Sequence, residues 1–393
     1  MRIVEALFWF CGFLMVYSYL LYPLLLQILS VNKKENTTVF TKVDDLPVVC
    51  VLMSVLNEEG IIDKKLQSLS KQDYPKEKLV VLIGSDGSTD NTETIINKYI
   101  RDNKSIFLYS FNERRGKPNV INHLVELSKQ YKPGVLILTD ANVIFKEDTI
   151  FELVKHLKNN HVGLVGANVI NNAVQLDGIS KQEKAYIQGE NKVKYHEGLI
   201  WGTMMGAFGA SYAIREDLYK PVKENFNVDD FFITMNVLKA GSNAIANPKA
   251  ICYEDVSNEA QEEFRRKKRI STGNFQNLFE FTPFILNPFT AVGFCFISHK
   301  LIRWKGPFII IVLLLCSGLL AIGNKFYLLL FCVQLLMLLT PIIDFAFKKV
   351  NLHFGLLRFV AYFYMMNVAV FAGFFNYLKG IDSNAWTPTK RNS

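Results

Sequence analysis

Acidic residues recur at ordered intervals through the polar middle of this 393-residue chain: SDGSTDNT (Ser85 to Thr92), TDAN (Thr139 to Asn142) and VDD (Val228 to Asp230). The small residues around Asp86 let the backbone turn sharply and approach a ligand closely. A carboxylate there can accept from a base N–H or a ribose hydroxyl, although an ordinary strand-to-helix turn with Asp90 as N-cap uses the same residues. Asp140 can hold a divalent cation that bridges two phosphates, since hard cations take oxygen ligands; helix capping is the plainer alternative. Asn142 offers that cation a neutral carbonyl where a second carboxylate would otherwise stand. Asp229 and Asp230 open a helical stretch, where the macrodipole alone favours acids. A carboxylate so placed is also ionised at neutral pH and can take a hydroxyl proton as general base, the role expected of Asp230.

Cations complete the set. RRKKR (Arg265 to Arg269) is five consecutive basic residues. Such a run reads first as a solvated or lipid-facing patch. On a helix, however, Arg266 and Arg269 share a face and could clamp a diphosphate. RRGKPN (Arg114 to Asn119) supplies Lys117 as a second phosphate contact, or else is a surface loop. Each motif alone is weak. Together they point to an enzyme acting on a nucleotide-activated sugar at a membrane.

The elements that must position these residues alternate between short β-branched runs and helical stretches from about Pro47 to Gln276, the pattern of a wound α/β sheet. PVVCVLMSV (Pro47 to Val55), LVVLIG (Leu79 to Gly84), SIFLYS (Ser105 to Ser110), GVLILT (Gly134 to Thr139) and VGLVGANVI (Val162 to Ile170) read as strands. Helices are expected from Ile61 to before Tyr74, over TETIINKYI, and as an amphipathic helix from VDD to a stop at Gly241. Asp86 and Asp140 thereby fall at carboxyl ends of parallel strands, where open α/β sheets bind ligands.

Hydropathy is uneven. Ala6 to Val31 runs 26 residues without a charge, longer than the ~20 that cross a bilayer as a helix. Gly306 to Gly323, Phe326 to Ile343 and Phe359 to Leu378 are likewise uncharged. Phe281 to Ser298 is broken by Pro283, Asn287 and Pro288 and reads as an interface helix. Lys33, Lys34, Lys300, Arg303, Lys305, Lys348 and Lys349 at the ends of the spans place the domain between them in the cytoplasm. One span before it and three after leave the tail, with Lys390 and Arg391, outside unless one span is re-entrant. Arg358 beside the last span is expected to snorkel rather than line a polar passage. The net charge of +8 suits membrane lipids and phosphates. No nucleic-acid motif accompanies it. Six cysteines without paired spacing support neither a disulfide framework nor a zinc site.

From Pro47 to Gln276, and into the flanking spans, these motifs resemble the membrane-bound family 2 glycosyltransferases, the group of cellulose, chitin, hyaluronan and poly-N-acetylglucosamine synthases. The resemblance implies an α/β GT-A (nucleotide-diphospho-sugar transferase) domain with flanking transmembrane helices. Asn57, Glu58 and Asp86 would hold the uridine of a UDP-sugar donor, and Lys117, Arg266 and Arg269 its diphosphate. Asp140, with Asn142, would hold Mg²⁺ or Mn²⁺. GAFGASYAIRE (Gly206 to Glu216) is similar to the family's loop beneath the acceptor, which places Gly209, Ala210, Ser211 and Asp229 on the acceptor side and Asp230 as catalytic base. Two residues depart from the family pattern: DAN replaces DxD, and Ile270 replaces the tryptophan of QxxRW. The implied organisation is an anchor over 1–32, a cytoplasmic catalytic domain over 45–278, an interface region over 279–305, transmembrane helices over 306–380 and a tail over 381–393. The implied activity is inverting sugar transfer to a growing exopolysaccharide or capsule chain at a bacterial inner membrane, with export or assembly partners. Single addition to a lipid-linked acceptor, and a non-catalytic scaffold or export subunit, are the alternatives.

Overall fold

Val49–Val55 (β1), Leu79–Asp86 (β2) and Val135–Thr139 (β4) are apolar runs without period-two alternation, and in the computed structural model nearly every residue in them is buried. That is the burial a parallel sheet covered on both faces imposes. The structure describes residues 1–171, 179–255 and 259–380. With Ile106–Phe111 (β3), Val143–Phe145 (β5), Val162–Asn171 (β6), Ser211–Arg215 (β7) and Asn243–Glu254 (β8), these strands form one mixed sheet ordered β3-β2-β1-β4-β7-β6-β8-β5. The β3-β2-β1-β4 half is parallel. β7 pairs antiparallel with both β4 and β6, and β8 runs parallel to β6. Chain order reverses beside β1, which opens a crevice at the carboxyl ends of β1, β2 and β4.

Helices Ile62–Ser70, Thr92–Asp102 and Lys117–Ser128 connect the parallel strands. Close approach is enforced at Gly84, where a Cβ would stand 2.3 Å from Val120 Cγ1. All five expected strands are present. The acceptor-loop motif is different in kind from the expectation, because its second half, Ser211–Arg215, is the central strand β7. β5 and β8 were also unanticipated. The helix Asp229–Lys239 forms and stops at Gly241 (φ +81°), but it is buried on nearly every side rather than amphipathic. Asp90 does accept from Thr92 N (3.0 Å), although the helix begins at Thr92 and the cap position is Asn91.

The chain divides into two units. Residues 29–171 and 186–255 carry the sheet, whereas residues 1–28, 179–185 and 259–380 carry the apolar helices. Among the described residues three helices are long and apolar enough to cross a membrane: Arg2–Ser30, Lys325–Lys349 and Gly355–Lys379. Their outward side chains, Leu329, Ile342 and Leu378 among them, are exposed apolar surface suited to lipid. Gly306–Ala321 is too short to stand as a straight span; with Ala291–Trp304 it makes a pair bent by 63°, a broken span or a re-entrant loop. The expected C-terminal tail, with Lys390 and Arg391, lies outside the described residues.

Arg358 does not snorkel. It is 5% exposed, its Nε lies 3.3 Å from Asp344 Oδ1, and its guanidinium meets His353 Nδ1 at 2.9 Å. The hairpin between Lys325–Lys349 and Gly355–Lys379 supplies a carboxylate partner, so the cation has no need to reach for water.

Candidate active site

The loops that leave β1 and β2 are laced together. Asn57, held at φ +52°, accepts from Thr89 N (2.8 Å) and donates its own N–H to Ser88 Oγ (3.2 Å). Glu58 N donates to Thr92 Oγ1 (2.8 Å) and Glu59 N to Asp90 Oδ2 (3.1 Å). A left-handed asparagine costs little because its short amide bonds locally. Asp86, 1% exposed at the end of β2, accepts from Arg115 N (2.6 Å) and Gly116 N (3.0 Å). It thus fixes the RRGK loop and, through Gly116 (φ +81°), the start of the helix that presents Lys117. Of the six residues expected around the nucleoside and its diphosphate, Asn57, Glu58, Asp86 and Lys117 are therefore joined through these loops.

Lys117 is the hub. Its Nζ lies 2.8 Å from Asp140 Oδ1 and 3.6 Å from Asp229 Oδ2. Burial opposes its charge, but Asp140, Asp229 and Asp230 together outweigh burial and hold the ammonium well above its usual range. Asp230 has the opposite problem. Burial first, then the neighbouring Asp229 carboxylate, push it up from 3.8 to about 6, while Lys117 and Lys194 pull it down. Its Oδ1 accepts from Phe231 N (2.7 Å), and its Oδ2 is 3.0 Å from where a Cβ on Gly209 would stand. Gly209 thus leaves the space the carboxylate occupies. Lys194 lies 3.3 Å over the ring of Phe208, beside that same loop.

Asp140 follows β4 and its side chain is 35% exposed. Its N–H approaches Ala210 O (3.4 Å), which ties the turn after β4 to the segment before β7. Asn142 is buried and donates to Glu254 Oε1 (3.2 Å), so its amide is engaged away from Lys117. Among the described residues no cluster of three or more Asp, Glu, His or Cys could enclose a cation. Magnesium-type sites need none, because such ions use one or two carboxylates and complete their shell with water and substrate phosphates. A partly exposed Asp140 fits that donor set.

Arg266 and Arg269 lie in the apolar-helix unit, on the helix Ala260–Glu280. Arg266 is paired with Glu263 (3.3 Å) and Glu183 (3.5 Å), both nearly fully buried; Arg269 is exposed. Ser211 is fully buried on β7. The sequence reading missed three groups near the acids. Tyr212 is buried with an unpartnered hydroxyl, Lys194 bears on Asp230, and Lys65 is fully buried under the β4 turn. Burial pulls the Lys65 ammonium down to about 7. A signal for Lys65 exists in Ile62, Lys65, Leu66 and Leu69, whose spacing sets the lysine on an apolar helix face.

The Glycosyl transferase family 2 profile matches residues 50–220. Residues 50–220 are a family 2 glycosyltransferase domain. The match covers β1 to β7, and with them Asn57, Glu58, Asp86, Lys117, Asp140 and the Gly209–Ser211 segment of the glycosyltransferase domain. It stops short of Asp229 and Asp230. The chain is 29% identical over 140 residues to the poly-beta-1,6-N-acetyl-D-glucosamine synthase of Staphylococcus aureus (strain MSSA476), a match covering 35% of this chain and 32% of that protein. It is also 29% identical over 124 residues to glycosyltransferase AglE of Haloferax volcanii, covering 32% and 40% respectively. The chain thus spans about a third of the length of the synthase it matches. Among solved structures, a mannosyltransferase from Pyrobaculum calidifontis in complex with GDP-Man and Mn²⁺ superposes with a TM-score of 0.71 at 19% identity, covering 95% of this chain and 99% of that one. The glycosyltransferase domain accordingly has the GT-A-like α/β fold.

Proposed function

We propose that the chain is a membrane-bound inverting glycosyltransferase that moves a sugar from a nucleoside-diphosphate donor, a UDP-sugar, to a hydroxyl of a growing saccharide chain. The observation that carries this reading is Asp230: a carboxylate raised to about 6, seated against Gly209 and grouped through Lys117 with Asp229 and Asp140. A base works best with a pKa near the operating pH. The acceptor oxygen forms its bond to the anomeric carbon as Asp230 takes the hydroxyl proton. The bond from that carbon to the diphosphate breaks, and the electron pair leaves with the nucleoside diphosphate. Lys117 meets the charge that develops on the leaving oxygen, a preorganised electrostatic contribution. Asp140 would hold Mg²⁺ or Mn²⁺, which supplies further positive charge to the same phosphates. Asn57 and the Asp86-anchored loop form the nucleoside end of the crevice. Apolar helices with basic residues at their ends support a location in the bacterial inner membrane with this domain on the cytoplasmic side.

Nucleotide release by the detergent-purified full chain, measured with UDP- and GDP-sugars and Mn²⁺ or Mg²⁺ in the presence of membrane lipid extract, tests the proposal. Release with one donor, abolished in Asp230→Asn, is expected. A ladder of products marks a polymerising enzyme, and a single new lipid-linked species marks one-step transfer. No release with any donor, together with no UDP or GDP binding, overturns it.

A further inference from the structure

Lys65 is 0% exposed, and none of the roles assigned above requires it. It projects from the helix Ile62–Ser70 beneath the turn that joins β4 to β5. Its Nζ donates to Thr139 Oγ1 (2.9 Å) and to Val143 O (2.6 Å) and stands 3.7 Å over the centroid of the Phe145 ring. Thr139 and Val143 are the last residue of β4 and the first of β5, so the two hydrogen bonds span the turn that carries Asp140 and Asn142. The connection continues. Thr139 Oγ1, while accepting from Lys65, donates to Ala210 O (2.9 Å), and Asp140 N approaches the same carbonyl. A single buried amine is therefore bonded directly to both ends of the Asp140 turn and, through one hydroxyl, to the Gly209–Ser211 segment that fronts Asp230.

Packing alone does not account for a lysine here. A fully buried amine is costly unless its donors are satisfied, and a leucine or methionine would fill an apolar site without that cost. All three donor directions of Lys65 are used: two carbonyl or hydroxyl oxygens and an aromatic face. What the arrangement supplies is a fixed spacing between two backbone segments at the edge of the crevice.

We propose that Lys65 is a positioning residue that holds the Asp140 turn, and with it the divalent-cation ligand, in register with the Gly209–Ser211 segment. This rests on the proposed role of Asp140 as the cation's carboxylate. Lys65→Met keeps the apolar stem and removes the amine. The direct readout is Mn²⁺ binding to the full-length protein in detergent with UDP present, followed by electron paramagnetic resonance and needing no turnover. Thermal unfolding and the Mn²⁺ concentration for half-maximal nucleotide release are measured beside it. The expected result is an unfolding temperature at or above that of the wild type, with Mn²⁺ affinity weakened about ten-fold, in the range seen when groups supporting a metal ligand are removed. The half-saturating Mn²⁺ concentration should rise in parallel. Thr139→Val, which breaks the same chain at the hydroxyl, should move both in the same direction by a smaller factor and serves if the Lys65 variant does not fold. A purely structural lysine would lower the unfolding temperature and the active fraction but leave Mn²⁺ affinity unchanged, and that outcome overturns the proposal. Asp140→Asn separates the two layers. If it loses Mn²⁺ while Lys65→Met and Thr139→Val keep wild-type affinity, the positioning role fails and the cation site stands. If Asp140→Asn binds Mn²⁺ as the wild type does, both fail.

Discussion

Replacing Asp230 by asparagine should stabilise the fold while destroying turnover, and the pH at which the stability gain appears follows from the structure. Burial and Asp229 raise this carboxyl from 3.8 to about 6. In the unfolded chain it ionises near its ordinary value. Below about pH 4 it is protonated in both states and costs nothing. Between about 4 and 6 the folded state holds a proton that the unfolded state has released, so stability falls as pH rises. Above about 6 the whole penalty is present. Two units at 1.36 kcal/mol each would be about 3 kcal/mol. Asp230 is only half-buried, and solvent screening trims this to about 2 kcal/mol. An asparagine, isosteric and able to accept from Phe231 N, never carries the penalty. In a domain of this size each kcal/mol moves the midpoint by about 2–4 °C, so the variant should melt about 4–8 °C higher at pH 8.

The assay is thermal unfolding in detergent by intrinsic fluorescence at pH 4, 5, 6, 7 and 8, with nucleotide release measured on the same preparations. The difference between variant and wild type should grow from near zero at pH 4 to its full size by pH 7. Loss of a general base costs ~10²–10⁴-fold in rate. A constant difference in midpoint across the whole range would mean that Asp230 does not titrate with a raised pKa in the folded state. A variant that turns over at the wild-type rate would remove it as base.

The other substitutions test its surroundings. Lys117→Met deprives Asp140, Asp229 and Asp230 of their shared cation; the acid limb of kcat/KM against pH should move upward from about 6 by about one unit or more, since a neighbouring charge is worth that much. An unmoved limb would show that Lys117 does not hold Asp230 down. Gly209→Ala places a methyl 3.0 Å from Asp230 Oδ2 and should lower kcat about ten-fold by displacing the base, with the melting temperature nearly unchanged. Arg358→Met should destabilise the apolar-helix unit by about 3 kcal/mol by leaving Asp344 without its cation, and adding Asp344→Asn should restore much of the loss in the same unfolding assay.

Where the sequence was readable, one physical rule governed each feature. β1, β2 and β4 are buried on both faces, so they appear as unbroken β-branched runs, and the residues just after them fall where a parallel sheet opens its crevice. Asp86 and Asp140 could be placed for that reason. β5 is three residues long, and β7 continues a glycine-rich loop with only SYAIR to mark it. β8 contains Pro248 and Lys249 and its pairing with β6 shifts register twice, which erases any alternation. Lys65 drew no reading and Arg358 a wrong one for a common reason. A basic residue is read by default as reaching water, and only the three-dimensional partners, Thr139 with Val143 and Asp344, show that it does not. The same holds for Arg266, whose two buried acids come from segments some 80 residues apart.

Asp140, Asp229 and Asp230 reach one lysine from the end of β4 and from the helix after β7, and Asp86 builds the loop that delivers that lysine. No packing requirement gathers them. A single ammonium does not neutralise three carboxylates, and burial together with the neighbouring Asp229 carboxylate lifts Asp230. Its cost to folding is about 2 kcal/mol by the reckoning above, a sizeable part of the ~5–15 kcal/mol by which domains are stable. Local choices in a sequence ordinarily agree with the fold, and conflicts collect where chemistry is done. Each bland explanation, a cap, a turn or a helix dipole, accounts for one acid taken singly. None explains why all of them sit around Lys117 at the carboxyl edge of the sheet, whereas a donor diphosphate on one side and an acceptor hydroxyl on the other would use every member of the group.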